Sequence, residues 1–289
     1  MKLMNGSRGE GDPEGRMPLL EHIRELRSRL LKALFFLLIG AIIGFLVFDQ
    51  VWDFLQKPYC KLEVNKGEDA GTCGLYVTGL TAGFFVYLKI ALIIGAILSS
   101  PFWLYQLWAF VAPGLHHREK RWTYIFLACA IPLFLSGAAL AYFTLDKGLT
   151  ILLGFTPGGV TNIVTIDSYL GYMIAMLLIF GISFELPLFV VILNLAGVLS
   201  HEKLAKHRRM IIFGLFVFAA VATPSADPFT MLALALPTVV LFLFAELIAF
   251  FHDKRKAKRT ELYDGLSDDE ASVIEDEPYD IGTPEPLDR

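Results

Sequence analysis

YLGYMIAMLLIFGISFELPLFVVILNL, Tyr169–Leu195, decides the fold. It is an unbroken apolar run interrupted by one carboxylate, Glu185, and one proline, Pro187. An α-helix needs about 20 apolar residues to cross roughly 30 Å of hydrocarbon, and this run has that length with residues to spare. It lacks the period-two alternation of a barrel strand, so it reads as a helical span. Working outward, comparable runs lie near Leu30–Phe48, Phe84–Phe110, Trp122–Phe143, Met210–Ala222 and Phe229–Phe251, which makes six expected spans. The Phe84–Phe110 run is long enough for its last turns to leave the hydrocarbon. The Met210–Ala222 run is short, so it would thin the bilayer or lean on its neighbours.

Composition agrees. The chain is 55% hydrophobic and 19% charged, with a mean hydropathy of +0.56, whereas soluble domains carry about 25% charged residues. The net charge of −4 conceals a strong asymmetry. Alternate inter-span segments hold Lys2, Arg8, Arg16, Arg24, Arg27 and Arg29, then Arg118, Lys120 and Arg121, then Lys203, Lys206, Arg208 and Arg209, then Lys254, Arg255, Lys256, Lys258 and Arg259. The opposite segments hold Lys57, Lys61, Lys66 and Lys147. By the positive-inside rule both termini are expected in the cytoplasm. The expected organisation is a cytoplasmic arm at 1–29, a six-helix membrane domain at 30–251 and a disordered, Asp/Glu/Ser/Pro-rich cytoplasmic tail at 252–289. The arm is too polar for a signal peptide and, with Glu10, Asp12, Glu14 and Glu21, too acidic for a transit peptide, which favours a prokaryotic cell membrane.

Cys60 and Cys73 share the first outer loop, where a disulfide closing about 14 residues would contribute roughly 3 kcal/mol; two free thiols are the alternative. Cys129 reads as a small packing residue. Enzyme signals are weak. His201 and His207 are six residues apart and diverge on a helix, unlike the two histidines four apart of a zinc protease. No Gly-rich phosphate loop or nucleophile elbow is present in the sequence. No enzyme activity, cofactor, metal or nucleic-acid partner is expected.

The ionisable residues carry more. Glu185 lies inside a span, where a charged side chain costs at least about 2.5–3.5 kcal/mol on insertion scales and usually serves a polar cavity or partner. Glu246 lies near the inner end of the last span, within reach of headgroups, and Lys89 is close enough to the outer interface to snorkel. Glu25 in HIRELRSRL and Glu119 in HHREKRW are lone carboxylates among basic residues. Each reads either as an internal ion pair or as an acceptor for a guanidinium, which binds carboxylate bidentately. Two adjacent arginines would need two such acceptors within reach of each other.

LSSPFWLYQLWAFVAPGLHHREKR (Leu98–Arg121), together with HIRELRSRL, SFELP and TPSADPF, resembles one family, the TatC polytopic subunit of the twin-arginine protein translocase. The resemblance runs over about Met17–Phe251. It implies a glove-like helical bundle with a concave face that binds twin-arginine signal peptides at its cytoplasmic end. By position, Glu25 and Glu119 match the carboxylates assigned to the two arginines, with Leu26, Arg27, Phe110 and Pro113 as neighbouring motif positions. Glu185 matches the intramembrane acid of the concave face, and Pro224 and Asp227 the outer loop before the last helix. The last two helices, with Met231 and Glu246, would dock TatA- and TatB-type single-span partners, and a homo-oligomer within a proton-driven complex is implied. Two positions depart from the family pattern: Met231 stands where many relatives carry Gln, and Glu246 follows Pro237 at a wider spacing than is common. The main rival is a proton-coupled small-solute transporter with Glu185 as relay, which would predict inverted repeats; no convincing repeat is visible. An intramembrane hydrolase would need a nucleophile and base on facing spans, and no such pair lies inside them.

Overall fold

The computed structural model describes residues 19–62, 73–111, 120–157, 160, 162–225 and 227–264. In chain order these form α1 (Leu19–Leu46), α2 (Phe48–Cys60), β1 (Leu75–Tyr76), α3 (Ala82–Leu98), α4 (Ser100–Val111), α5 (Lys120–Gly154), β2 (Val164–Thr165), α6 (Ile166–Leu195), α7 (His201–Ala222) and α8 (Pro228–Asp264). One end of the bundle gathers the chain reversals rich in Lys and Arg; the other carries α2, the strand pair and a disulfide. These are called the basic end and the disulfide end below.

The deciding run is the central helix. α6 packs against α5, α8 and α3 and buries Leu170, Met173, Met176, Phe180 and Ile192 completely. A helix enclosed on most sides must be apolar all round, which is why its sequence shows no polar stripe. Pro187 does not break it: α6 is continuous from Ile166 to Leu195. Thr165 starts it, its hydroxyl accepting from the backbone N–H of Ser168 at 3.2 Å, as an N-cap should. Close helix crossings rest on small residues. Gly40 and Gly44 of α1 lie against Gly95 and Ala91 of α3, and Gly137 of α5 lies against the carbonyl of Phe180.

Among the described residues four helices are long and apolar enough to cross a membrane: Ile23–Leu46, Tyr124–Gly154, Ile166–Leu195 and Pro228–Lys258. The expected second span is two helices, α3 and α4, bent by 61° and together long enough for a fifth. The bend follows from Ser99, Ser100 and Pro101. Pro101 cannot donate into the ladder, the Ser99 hydroxyl bonds the Gly95 carbonyl at 2.6 Å, and Trp103 Nε1 reaches back to the Ala96 carbonyl at 2.8 Å. The expected fifth span is the second half of α7; its first half, His201–Arg209, is polar and charged, so α7, although 22 residues long, is not among the helices apolar enough to cross a membrane.

The disulfide end holds two elements that the sequence reading left as loop. α2 is an aromatic-rich amphipathic helix, anchored where Tyr142 and Tyr169 donate to the carbonyls of Phe54 (2.9 Å) and Leu55 (2.5 Å). Cys60 and Cys73 form a disulfide rather than two free thiols. β1 and β2 then pair in parallel, Leu75 with Val164 and Tyr76 with Thr165, tying the two loops of this end together. Helix α1 begins at Leu19, within the expected arm, because Leu, Glu and Arg are good helix formers. One expected boundary is corrected. Helix α8 runs on to Asp264, so residues 252–264 are helical rather than disordered; Lys, Arg and Ala continue the helix at little cost.

Candidate functional site

Of the residues expected to read a twin-arginine motif, Glu25, Leu26, Arg27 and Phe110 lie at the basic end. Glu25 is in the second turn of α1, with Leu26 and Arg27 exposed beside it. Its Oε1 accepts from Arg29 Nε at 2.9 Å and Nη2 at 2.6 Å, one helical turn away. The internal ion-pair alternative therefore holds for Glu25 in this conformation. Both partners remain about a quarter exposed, and such an i,i+4 pair contributes only about 0.3–0.5 kcal/mol. Phe110 is half-buried near the end of α4. Pro113 and Glu119 lie outside the described residues, in the segment between Val111 of α4 and Lys120 of α5. Helix α4 packs along α1, with the Phe36 and Phe102 rings stacked at 4.7 Å.

Glu185 is buried in α6, 7% exposed. Neither carboxyl oxygen makes a hydrogen bond of ordinary geometry among the described residues; the indole Nε1 of Trp108, buried on α4, is the donor that faces it. Glu246 is buried too, but differently. Arg208 of α7 donates from Nε at 3.0 and 2.8 Å to its two oxygens and from Nη2 at 2.6 Å. This carboxylate is thus bound within the chain rather than presented to a partner. Lys89, expected to snorkel, instead pairs with Asp167 in the first turn of α6 at 2.5 Å.

At the disulfide end Pro224 is exposed, while Asp227 is buried, 3% exposed, and caps α8. Its Oδ1 accepts from the Thr230 backbone N–H at 2.8 Å and its Oδ2 from the Thr230 hydroxyl at 2.5 Å, with Pro228 at the first helical position. Burial alone would raise its pKa, but the hydrogen bonds from Ser225, Thr230 and the backbone outweigh it and hold the carboxyl below the usual carboxylate value. Met231 is half-buried and packs against the main core.

Several polar residues were missed in the sequence. Trp108 was not singled out, nor was Arg208 as the partner of Glu246. Asp253 of α8 joins Asn194 Nδ2 (3.1 and 3.2 Å) and the backbone N–H of His201 (2.7 Å), fastening the ends of α6 and α7 to α8. Asn194 within an apolar helix and Asp253 at the edge of a basic run were the available signals.

Comparison with known proteins agrees with this architecture. The family profile described as "Sec-independent protein translocase protein (TatC)" matches residues 21–237. A Sec-independent protein translocase protein TatC of Frankia casuarinae is 47% identical over 280 residues, 94% of this chain and 76% of the relative. One of Corynebacterium kroppenstedtii is 37% identical, covering 96% and 72%. A crystal structure of the "Twin Arginine Translocase Receptor- TatC in DDM" superposes with a TM-score of 0.65 at 33% identity, over 79% of this chain and 99% of that one.

Proposed function

The chain belongs to the TatC family of Sec-independent protein translocase proteins, a multi-span translocase component of the membrane, and on that footing we propose that it is the receptor core of a twin-arginine translocase. In this reading six helices cross the membrane with both termini in the cytoplasm, as the distribution of Lys and Arg supports. Glu25 and Glu119 together grip the two arginines of a signal peptide, whose apolar part then lies along the concave face beside Glu185. The exposed apolar face of the second half of α7, with Val217, Phe218 and Val221, and the outer loop at Pro224 receive TatA- and TatB-type partners. The sequence holds no Gly-rich phosphate loop, and the proton motive force supplies the energy.

The observation that carries this reading is the state of Glu25. It sits at the basic end on an accessible helix, and Arg29 occupies only Oε1. Since a pair of that kind is worth well under 1 kcal/mol, an incoming guanidinium can take Oε2 or displace Arg29 with little loss. Charge-assisted hydrogen bonds contribute about 1.5–3 kcal/mol, so Glu25→Ala or Glu119→Ala should lower capture of a twin-arginine signal about ten- to a hundredfold. Site-specific crosslinking of such a signal in membranes, with a Lys-Lys signal as the reference, is the test. Undiminished capture by both variants removes the proposed role.

A further inference from the structure

We propose that the basic end of the α7–α8 hairpin holds the phosphate of an anionic phospholipid, with Arg208 at its centre. This reading is independent of signal recognition and requires only that α7 and α8 meet a bilayer. Glu246 engages the Nε and Nη2 edge of the Arg208 guanidinium. Glu246 is 4% exposed while Arg208 is 49% exposed, so the pair is buried on its acidic side and open on its basic side. A guanidinium has five N–H donors in a fixed plane. With one edge fixed by Glu246, the Nη1 hydrogens, which meet no acceptor among the described residues, and the remaining Nη2 hydrogen are left to face outward. That is the presentation Arg uses for phosphate.

The surroundings identify the ligand. Glu246 cancels the charge of Arg208 itself, but Lys203, Lys206 and Arg209 are all exposed on the same helix. The exposed Glu202 is the one acid among the described residues of the first turn of α7. On α8, Asp253 is occupied by Asn194 and His201, and the Glu261 and Asp264 that follow are outnumbered by Lys254, Arg255, Lys256, Lys258 and Arg259. The local field is therefore positive. On the other side of Arg208, away from the lysines, the exposed groups are apolar: Met210 (72%) and Phe213 (70%) on α7, Leu243 (40%) and Phe244 (59%) on α8, whose chain runs antiparallel to α7. An acidic protein segment or free phosphate would gain nothing from that second surface. A phospholipid satisfies both, its phosphate on the guanidinium and lysines and its acyl chains on the apolar side chains below.

The test uses the purified full chain and native mass spectrometry of lipid retention, with equimolar phosphatidylglycerol and phosphatidylcholine, an inorganic-phosphate arm and an acidic-peptide competitor. Preferential retention of phosphatidylglycerol is expected, weakened about fivefold for each charge removed in Lys203→Gln/Lys206→Gln/Arg209→Gln at low salt. Arg208→Gln alone strands a buried Glu246, so the central residue is tested in Arg208→Gln/Glu246→Gln, which leaves no unpaired charge; this variant should lose the preference. If it does not fold, Arg208→Lys, which keeps the charge without the fork, should reduce retention. Equal retention of the two lipids by the wild type, displacement by phosphate or the acidic peptide alone, or wild-type retention by the substituted chains overturns the proposal.

Discussion

Replacing Gly95 by alanine should pry α1 from α3. A Cβ at Gly95 would stand 2.5 Å from the backbone nitrogen of Ala41 and 2.9 Å from its Cα and from the carbonyl carbon of Gly40. Ordinary van der Waals contact begins at 3.4 Å, so the helices must part locally by about 0.9 Å, the difference between those two distances. The opposing atoms are all main chain, so no rotamer change can relieve the clash. Overpacking of this kind costs about 1–3 kcal/mol, offset by up to about 1 kcal/mol from the better helix propensity of Ala. Because the clash is with rigid main chain at 2.5 Å, the cost lies at the upper end of that range, and the net expectation is a loss of about 2 kcal/mol. Gly214, on the exposed side of α7, is the control: a Cβ there meets nothing within 4 Å, so Gly214→Ala should gain up to about 1 kcal/mol. Unfolding of the two purified variants by SDS titration in mixed micelles, followed by far-UV circular dichroism, should give shifts of opposite sign. Shifts of the same sign, or a Gly95→Ala effect within about 0.5 kcal/mol of wild type, would refute the close-crossing argument. Gly40→Ala meets the same contact from the other side, 2.7 Å from the Gly95 carbonyl oxygen, so the double variant should cost less than the two singles together.

Two further outcomes follow from the disulfide end. Asp227→Ala should cost about 1–2 kcal/mol through loss of the α8 cap. Because the folded-state pKa of Asp227 lies below its unfolded value, its contribution is fully present above the unfolded pKa, about 3.9, and is lost as the pH falls through the lower folded value. Asp227→Asn should therefore keep most of the cap and flatten the acid limb of a stability–pH profile; an unchanged limb contradicts the assignment. Cys60→Ser/Cys73→Ser opens a loop with a sequence separation of 13 and should lose up to about 3 kcal/mol. Reductant should lower the midpoint of the wild type to that of the double variant, and a wild type indifferent to reductant would count against a structural role for the bond.

Much of the fold was legible because burial in a membrane bundle leaves a coarse signature. Tyr169–Leu195 could be read as a helix since nearly every side of it is covered. The α3–α4 bend was harder to see because Ser99, Ser100 and Pro101 are only a short dip in a long apolar run; its angle is set by which backbone groups the two serines and Pro101 leave to bond. Helix α2 was invisible to a search for long apolar runs, being short and amphipathic. The tail misled for the opposite reason: its charge argued for disorder, while residues such as Lys254, Ala257 and Lys258 are individually good helix formers attached to a helix already nucleated. At the site, the Glu25–Arg29 pair was within reach of simple i,i+4 counting. Arg208 and Glu246 are 38 residues apart and meet only because the Thr223–Asp227 turn folds α8 back along α7, a register that spacing alone does not encode.

The acids of the bundle also sort by how they are satisfied. Glu246 has an arginine, Asp227 has hydroxyl and backbone donors, and Asp253 has an amide and a backbone N–H. Each thus completes a helix contact within the fold. Glu185 makes no hydrogen bond of that kind among the described residues, although it is buried as Glu246 and Asp227 are. Leaving a buried polar group unpaired costs about 1–3 kcal/mol, and Trp108, the donor that faces it, has a single N–H to offer against two oxygens. A purely structural position would be better served by an apolar side chain of similar size. Under the proposed function the imbalance has a use: a signal or partner helix laid on this face with a hydroxyl or amide at the right depth would gain a hydrogen bond that the resting chain does not make. Binding there would then be favoured by relief of an unsatisfied group as well as by apolar contact.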